Sequence, residues 1–237
     1  LDINKVDECF REINEIDVPL QIGFNRRFDN SHARVKQARE SKEIGQLEML
    51  IITSRDPEPP PASYIKTSGG IFKDMMIHDF DLVRFYLGKD EPSNLIAFGS
   101  NVSNKKFNNL KDYELATCLI KSKSGVQCVI TNSRHCSFGY DQRVELFGSK
   151  GMIISDNKRD RETSLYLNNS TSSKAPLMHF FVERYKEAYK NQLNDFAKFI
   201  KKNIKPLAQF EEGRRALIMA NAAKKFLKSK KIEKLNF

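Results

Sequence analysis

The sequence predicts an α+β fold: an open, largely antiparallel sheet with helices on one face, entered through the end of a separate α/β unit. Three observations carry this. From residue 94 to 155, short alternating strands follow one another through tight turns, the signature of antiparallel pairing. Two amphipathic helical stretches, near 179–203 and 210–229, close the chain and can cover one sheet face. At the opposite end, an amphipathic stretch feeds a continuous apolar run, which suits the last helix and strand of a parallel α/β repeat.

Residues 2–16 carry Ile3, Val6, Phe10 and Ile13 at helical spacing. VPLQIGF (18–24) then reads as a buried strand, and no earlier strand exists in the sequence to pair with it. Residues 1–24 are therefore expected to be the remnant of one domain, and 25–237 a second. NRRFDNSHARVKQARESKEIG (25–45) reads as a turn and a helix, with Ser31 as its N-cap and Gly45 as its stop. QLEMLIITSR (46–55) alternates into a strand, and the prolines of DPEPPPASYIK (56–66) make that stretch a loop. Helix resumes at about Asp74 and ends before Gly88. The strands NLIAFGSNV, DYELATCLIK, VQCVITNSRH, QRVELFG and GMIIS follow, expected as a meander. TSLYLN (163–168) adds one more strand, and NNSTSSKAP (168–176) reads as a flexible loop.

The 237 residues include 40 Lys and Arg against 30 Asp and Glu, a formal net charge of +10. The excess concentrates in KKFLKSKKIEKLNF, where Leu217, Ala220, Ala223, Phe226 and Leu227 mark a buried stripe behind a solvated lysine face. No recognition motif accompanies these lysines, so nucleic acid is not an expected partner. No apolar run approaches membrane-spanning length, and no leader-like pattern opens the sequence. Cys9, Cys118, Cys128 and Cys136 lack metal-site spacing and read as reduced thiols of a cytoplasmic protein.

The stretch GGIFKDMMIHDFD (69–81) carries the candidate chemistry. On a continuous helix, Asp74, His78 and Asp81 share one face, so His78 can serve as a general base oriented by a carboxylate. Gly69 and Gly70 would let backbone approach a ligand closely. The same spacing also fits a capping aspartate, a partly buried histidine and an exposed acidic face. A metal site from Asp74, His78 and Asp81 is a third reading, without a second cluster to complete it. Arg26 and Arg27 follow the C-terminal end of the expected parallel strand, where α/β proteins bind ligands. Tyr140 stands at a strand entrance and can point into a cleft or end the core. His32, His135 and His179 read as structural or surface residues.

The words PLQIGFNRRFD, ITSRDPEPPP, SGGIFKDMMIHDFDLVRFYLG, GYDQRVELFGSKG and ERYKEAYKNQLNDF occur in this order. Together they resemble the Gfo/Idh/MocA family of NAD(P)-dependent oxidoreductases, and within it the members that oxidise a secondary hydroxyl of inositol. The resemblance implies a Rossmann domain for NAD or NADP, of which residues 1–24 match the end, and a C-terminal domain for the substrate. It implies His78 as the base, Asp74 as its partner, and Arg26, Asp81, Tyr140 and Asn25 around the hydroxyls. It implies a polyol substrate (myo-inositol or a related sugar), no metal, and a homo-oligomeric dimer or tetramer built through the open sheet face. The family's GxGxxG turn and Glu-Lys-Pro motif are absent from the sequence. No cofactor-binding residue is therefore expected here, and the chain alone is expected to be inactive. The alternative is a catalytically silent truncated product that acts as an oligomerisation or ligand-binding scaffold.

Overall fold

A computed structural model describes residues 2–16, 18–202 and 204–237. In chain order the elements begin with α1 (Ile3–Ile16), a 3-10 turn at Asn25–Phe28 and α2 (Asn30–Glu40). Next come β1 (Leu47–Arg55), then α3 (Ala62–Ser68), α4 (Ile71–Asp74) and α5 (Ile77–Leu87). The strands β2 (Pro92–Ser100), β3 (Leu115–Ser122), β4 (Gln127–Ser133), β5 (Asp141–Gly148) and β6 (Gly151–Ser155) follow, with α6 (Lys106–Asn109) between β2 and β3. A hairpin of β7 (Ser164–Leu167) and β8 (Ser170–Lys174) leads to α7 (Phe181–Arg184), α8 (Lys186–Lys202), α9 (Phe210–Ser229) and β9 (Glu233–Lys234).

The main sheet has seven strands in the order β6-β5-β1-β4-β3-β2-β9. All neighbouring pairs are antiparallel except β1 with β4, which run parallel. The expected meander is therefore interrupted. β1 inserts between β4 and β5, and the chain reaches β2 at the far side through α3, α4 and α5. Burial accounts for this placement: Leu50 and Ile52 are almost wholly enclosed, and a strand this apolar is most stable at the sheet centre.

Strand register sorts the residues of the two faces into rows. One face carries Leu95, Ile120, Cys128, Leu50 and Leu146 in one row, and Ala97, Cys118, Ile130, Ile52 and Val144 in the next, all buried. This face packs against α5, α9 and α2, whose core residues include Phe80, Val83, Met219 and Val35. The opposite face carries Ile96, Leu119, Val129 and Ile51, continuing to Ile154 on β6. No helix covers it among the described residues, and Leu119, Phe147, Met152 and Ile154 stand exposed.

Several local expectations change. VPLQIGF forms no strand, because no described strand lies beside it; the Ile22 N–H donates instead to the Ala208 carbonyl. The N-cap of α2 is Asp29, not Ser31, since its carboxylate accepts from the Ser31 and His32 amides. The prolines of 56–66 end at Pro61, the residue just before α3, so helix begins inside the expected loop. NNSTSSKAP is not a loop throughout, because residues 170–174 pair with β7. α1 is held to α9 by stacking of Phe10 on Phe210 and by an ion pair of Asp7 with Arg214.

Candidate active site

A cleft of about 730 Å³ opens where the 3-10 turn, the proline-rich loop after β1, the α4–α5 break and the start of α8 meet. His78, Asp74, Arg26, Asn25 and Tyr140 all line it. The long helix expected from Asp74 to Gly88 is in fact broken at Met75–Met76, which separates α4 from α5. The break matters chemically. Asp74 Oδ1 accepts from the Tyr64 hydroxyl at 2.7 Å and Oδ2 from Arg134 at 3.0 Å, and no hydrogen bond joins Asp74 to His78. The expected orienting of the imidazole by Asp74 is thus replaced by a carboxylate fixed from other directions.

His78 packs edge-on against Phe24, and its Nδ1 is buried without a hydrogen-bond partner among the described residues. Burial, and then the positive charge of Arg26, push its pKa down to about 3. The ring is therefore neutral near neutral pH, the form that accepts a proton.

The two arginines after the apolar run take different partners. Arg26 Nη1 donates to Asp79 at 2.5 Å and to the Ser54 hydroxyl at 3.0 Å. Asp79 is fully buried, and its other oxygen accepts from Asn132 at 2.7 Å. Arg26 thus reaches the cleft from a rigid base, and its Nε and Nη2 make no hydrogen bond among the described residues. Arg27 instead holds Asp81 through two bonds of 2.8 and 2.7 Å, and donates to the Leu207 carbonyl. Asp81 is 1% exposed and does not line the cleft, so its expected contact with substrate hydroxyls is corrected to a buried ion pair.

Gly69 and Gly70 do not line the cleft either. Gly70 has a φ of +88°, and a Cβ there would stand 2.8 Å from Asp112 Oδ1. The close approach it allows is to a carboxylate of the chain itself, which accepts from the Ile71 amide at the start of α4.

The cleft also contains residues the sequence did not single out. Asp56, just past β1, has its pKa raised to about 6 by burial, against the opposing pull of Arg26 and Arg134. Tyr185, Tyr189 and Phe180 form an aromatic wall, with Phe180 edge-on to Tyr140. Their signal in the sequence was weak, because nothing local distinguishes a cleft tyrosine from a core one. Among the described residues, no group of three or more His, Cys, Asp or Glu is arranged to hold a metal ion.

Residues 32–154 match the model of the GFO/IDH/MocA C-terminal domain, more than half of the chain. The chain belongs to the GFO/IDH/MocA family. It is 42% identical to the myo-inositol 2-dehydrogenase of Thermotoga maritima over 236 residues, 99% of this chain and 70% of that protein. The crystal structure of a myo-inositol dehydrogenase from Corynebacterium glutamicum superposes with a TM-score of 0.95 at 41% identity, covering 100% of this chain and 70% of that one. The scyllo-inositol dehydrogenase of Lactobacillus casei, solved with bound NAD(H) and scyllo-inositol, gives a TM-score of 0.89 at 25% identity, over 99% and 70% of the two chains. The family is one of inositol dehydrogenase-like oxidoreductases, and this chain spans about 70% of the length of these relatives. No helix of the described residues is long and apolar enough to cross a membrane.

Proposed function

We propose that this chain supplies the polyol-binding half of a nicotinamide-dependent inositol dehydrogenase, with His78 as the base. One observation carries the reading: a neutral histidine shares a cleft with a fixed carboxylate, an anchored arginine, an asparagine and a tyrosine. Such a set matches a ring bearing several hydroxyls, each of which both donates and accepts hydrogen bonds. Arg26, Asn25 and Tyr140 offer donors, and Asp74 and Asp56 offer acceptors.

A nicotinamide dinucleotide would supply the hydride acceptor for the carbinol carbon. No glycine-rich phosphate-binding turn occurs in the sequence, so no residue of this chain is assigned to that group. The chain's own part is to orient the ring and take the hydroxyl proton onto the His78 imidazole. A pKa near 3 makes this a weak base. It suffices because the oxygen becomes part of a carbonyl as the hydride departs, and its proton becomes strongly acidic in the transition state. Product is a keto-inositol, with the carbon–oxygen bond gaining the electron pair of the lost O–H.

The exposed apolar rows on the uncovered sheet face fit a second copy of the chain, so the protein is proposed to assemble as a homo-oligomer. The test of the catalytic reading joins an N-terminal dinucleotide-binding domain to the chain and follows inositol-dependent formation of reduced dinucleotide, with His78 intact and as His78→Asn. Loss of a positioned base should lower kcat by roughly 10²–10⁴-fold. Undiminished turnover by His78→Asn would refute the assignment.

A further inference from the structure

We propose that Arg134 is a positioning residue for polyol binding, acting through Asp74 with Tyr64 as its counterpart. The inference rests on the polyol-binding reading above. Arg134 directly follows β4, and its side chain is 1% exposed. Its guanidinium forks between two carboxylates, Nη1 to Asp74 Oδ2 at 3.0 Å and Nη2 to Asp112 Oδ2 at 3.1 Å. Asp112 is tied in turn to the start of α4 by the Ile71 amide at 2.9 Å. One planar cation thus spans both ends of the four-residue helix that carries Asp74. On its other oxygen, Asp74 accepts from Tyr64, which stands at the cleft edge and is half exposed.

This geometry does two things to the Asp74 carboxylate. It fixes the group through Tyr64 and Arg134 and not through His78, so the two act on a ligand separately rather than as a hydrogen-bonded pair. It also leaves lone pairs unused. A carboxylate offers about four acceptor sites; Tyr64 and Arg134 occupy two of them. The remaining sites belong to a group that lines the cleft, and they suit two hydroxyls of one ring. A buried arginine is more than a tether here, because removing it would leave Asp112, itself 6% exposed, with its charge uncompensated. Lysine could keep the charge but not the fork, since an ammonium is a point donor on a flexible stem.

The experiment measures the Kd of the chain for myo-inositol by ligand-observed NMR, with the thermal midpoint of each variant recorded beside it. Arg134→Gln should weaken binding by about 10- to 100-fold, the range for hydrogen bonds to a charged group. Arg134→Lys keeps the charge that compensates Asp112 but not the fork, so its thermal midpoint should recover more fully than its affinity, a split that a purely structural defect would not show. Tyr64→Phe removes one oriented donor on an open surface. It should weaken binding by about 5-fold, the net value of one hydrogen bond, with an unchanged thermal midpoint. If Arg134→Gln does not fold, Arg134→Lys and Tyr64→Phe decide the matter. A parent that binds myo-inositol while both of these bind equally well would overturn the role of Arg134. A parent that binds no polyol would overturn the polyol reading itself, and the role of Arg134 with it.

Discussion

Replacing Arg27 with methionine tests whether Asp81 is part of the interior or of the ligand site. The side chains of Arg27 and Asp81 are 8% and 1% exposed, and the two are joined by two charge-assisted bonds. Removing one partner of a buried pair costs about 3–5 kcal/mol, because the other charge is left without compensation. Here the lower end applies. Burial outweighs Arg27 in setting the acidity of Asp81 and holds its pKa above the usual carboxylate value. Without the guanidinium, the carboxyl can take up a proton and escape part of the penalty. Loss of the bond to the Leu207 carbonyl adds about 1 kcal/mol, and loss of the cation over the Phe85 ring somewhat less. A fall of about 4–5 kcal/mol lowers the thermal midpoint by roughly 8–20 °C in a domain of this size. The double variant Arg27→Met/Asp81→Leu loses the same secondary contacts but leaves no orphaned charge, and should regain most of the stability. Urea unfolding followed by far-ultraviolet circular dichroism is the suitable assay, as the sequence contains no tryptophan. The reasoning fails if Arg27→Met is within about 0.5 kcal/mol of the parent, as an ordinary surface substitution would be. It also fails if the double variant is no more stable than the single one.

Two further outcomes are expected. His32 and His78 both have pKa values pushed down to about 3 by burial, so between pH 6.5 and 3 the unfolded chain takes up protons that the folded one refuses. Asp56, raised from 3.8 to about 6, acts in the opposite sense over part of that window. Asp81, also held above the ordinary carboxylate value by burial, acts with Asp56, whereas Asp29, held below it despite burial by bonds from Arg184 and Lys158, acts with the histidines, so stability should fall on acidification from pH 6 to 4. Equal or greater urea resistance at pH 4 would contradict these burials. On the uncovered sheet face, Phe147→Asp with Ile154→Asp places charge among exposed apolar rows and should convert an oligomer to monomer in sedimentation velocity. A parent that already sediments as a monomer would count against that interface.

The strands were legible because their alternation is local. Leu95, Ala97, Cys118, Ile120, Cys128 and Ile130 repeat at a period of two, and the structure puts all six on one face. The position of β1 was not legible, since which strands become neighbours depends on contacts across about 80 residues, such as Ile52 with Ile130. The family words brought His78, Asp74, Arg26, Asn25 and Tyr140 to one cleft. Spacing misled at Asp81, because an i,i+7 match assumes one continuous helix, and the chain breaks at Met75–Met76. Asp56, Tyr64 and Arg134 were not singled out for a related reason. The partners of Tyr64 and Arg134 lie 10 to 60 residues away, and no periodicity reports such pairings.

The threading of β1 sets an order on the assembly of the molecule. Both of its neighbours, β4 and β5, lie about 70 to 100 residues later in the chain. During synthesis this buried strand therefore emerges long before either edge can be paired, while β2 and β3 can already form a hairpin. Until residues 127–148 arrive, LEMLIITS is a bare β-edge of the kind that recruits other chains. Slow, non-local pairing of this type makes yield depend on temperature and expression rate rather than on final stability. The single parallel pair that centres the sheet is thus also its exposure to aggregation while incomplete.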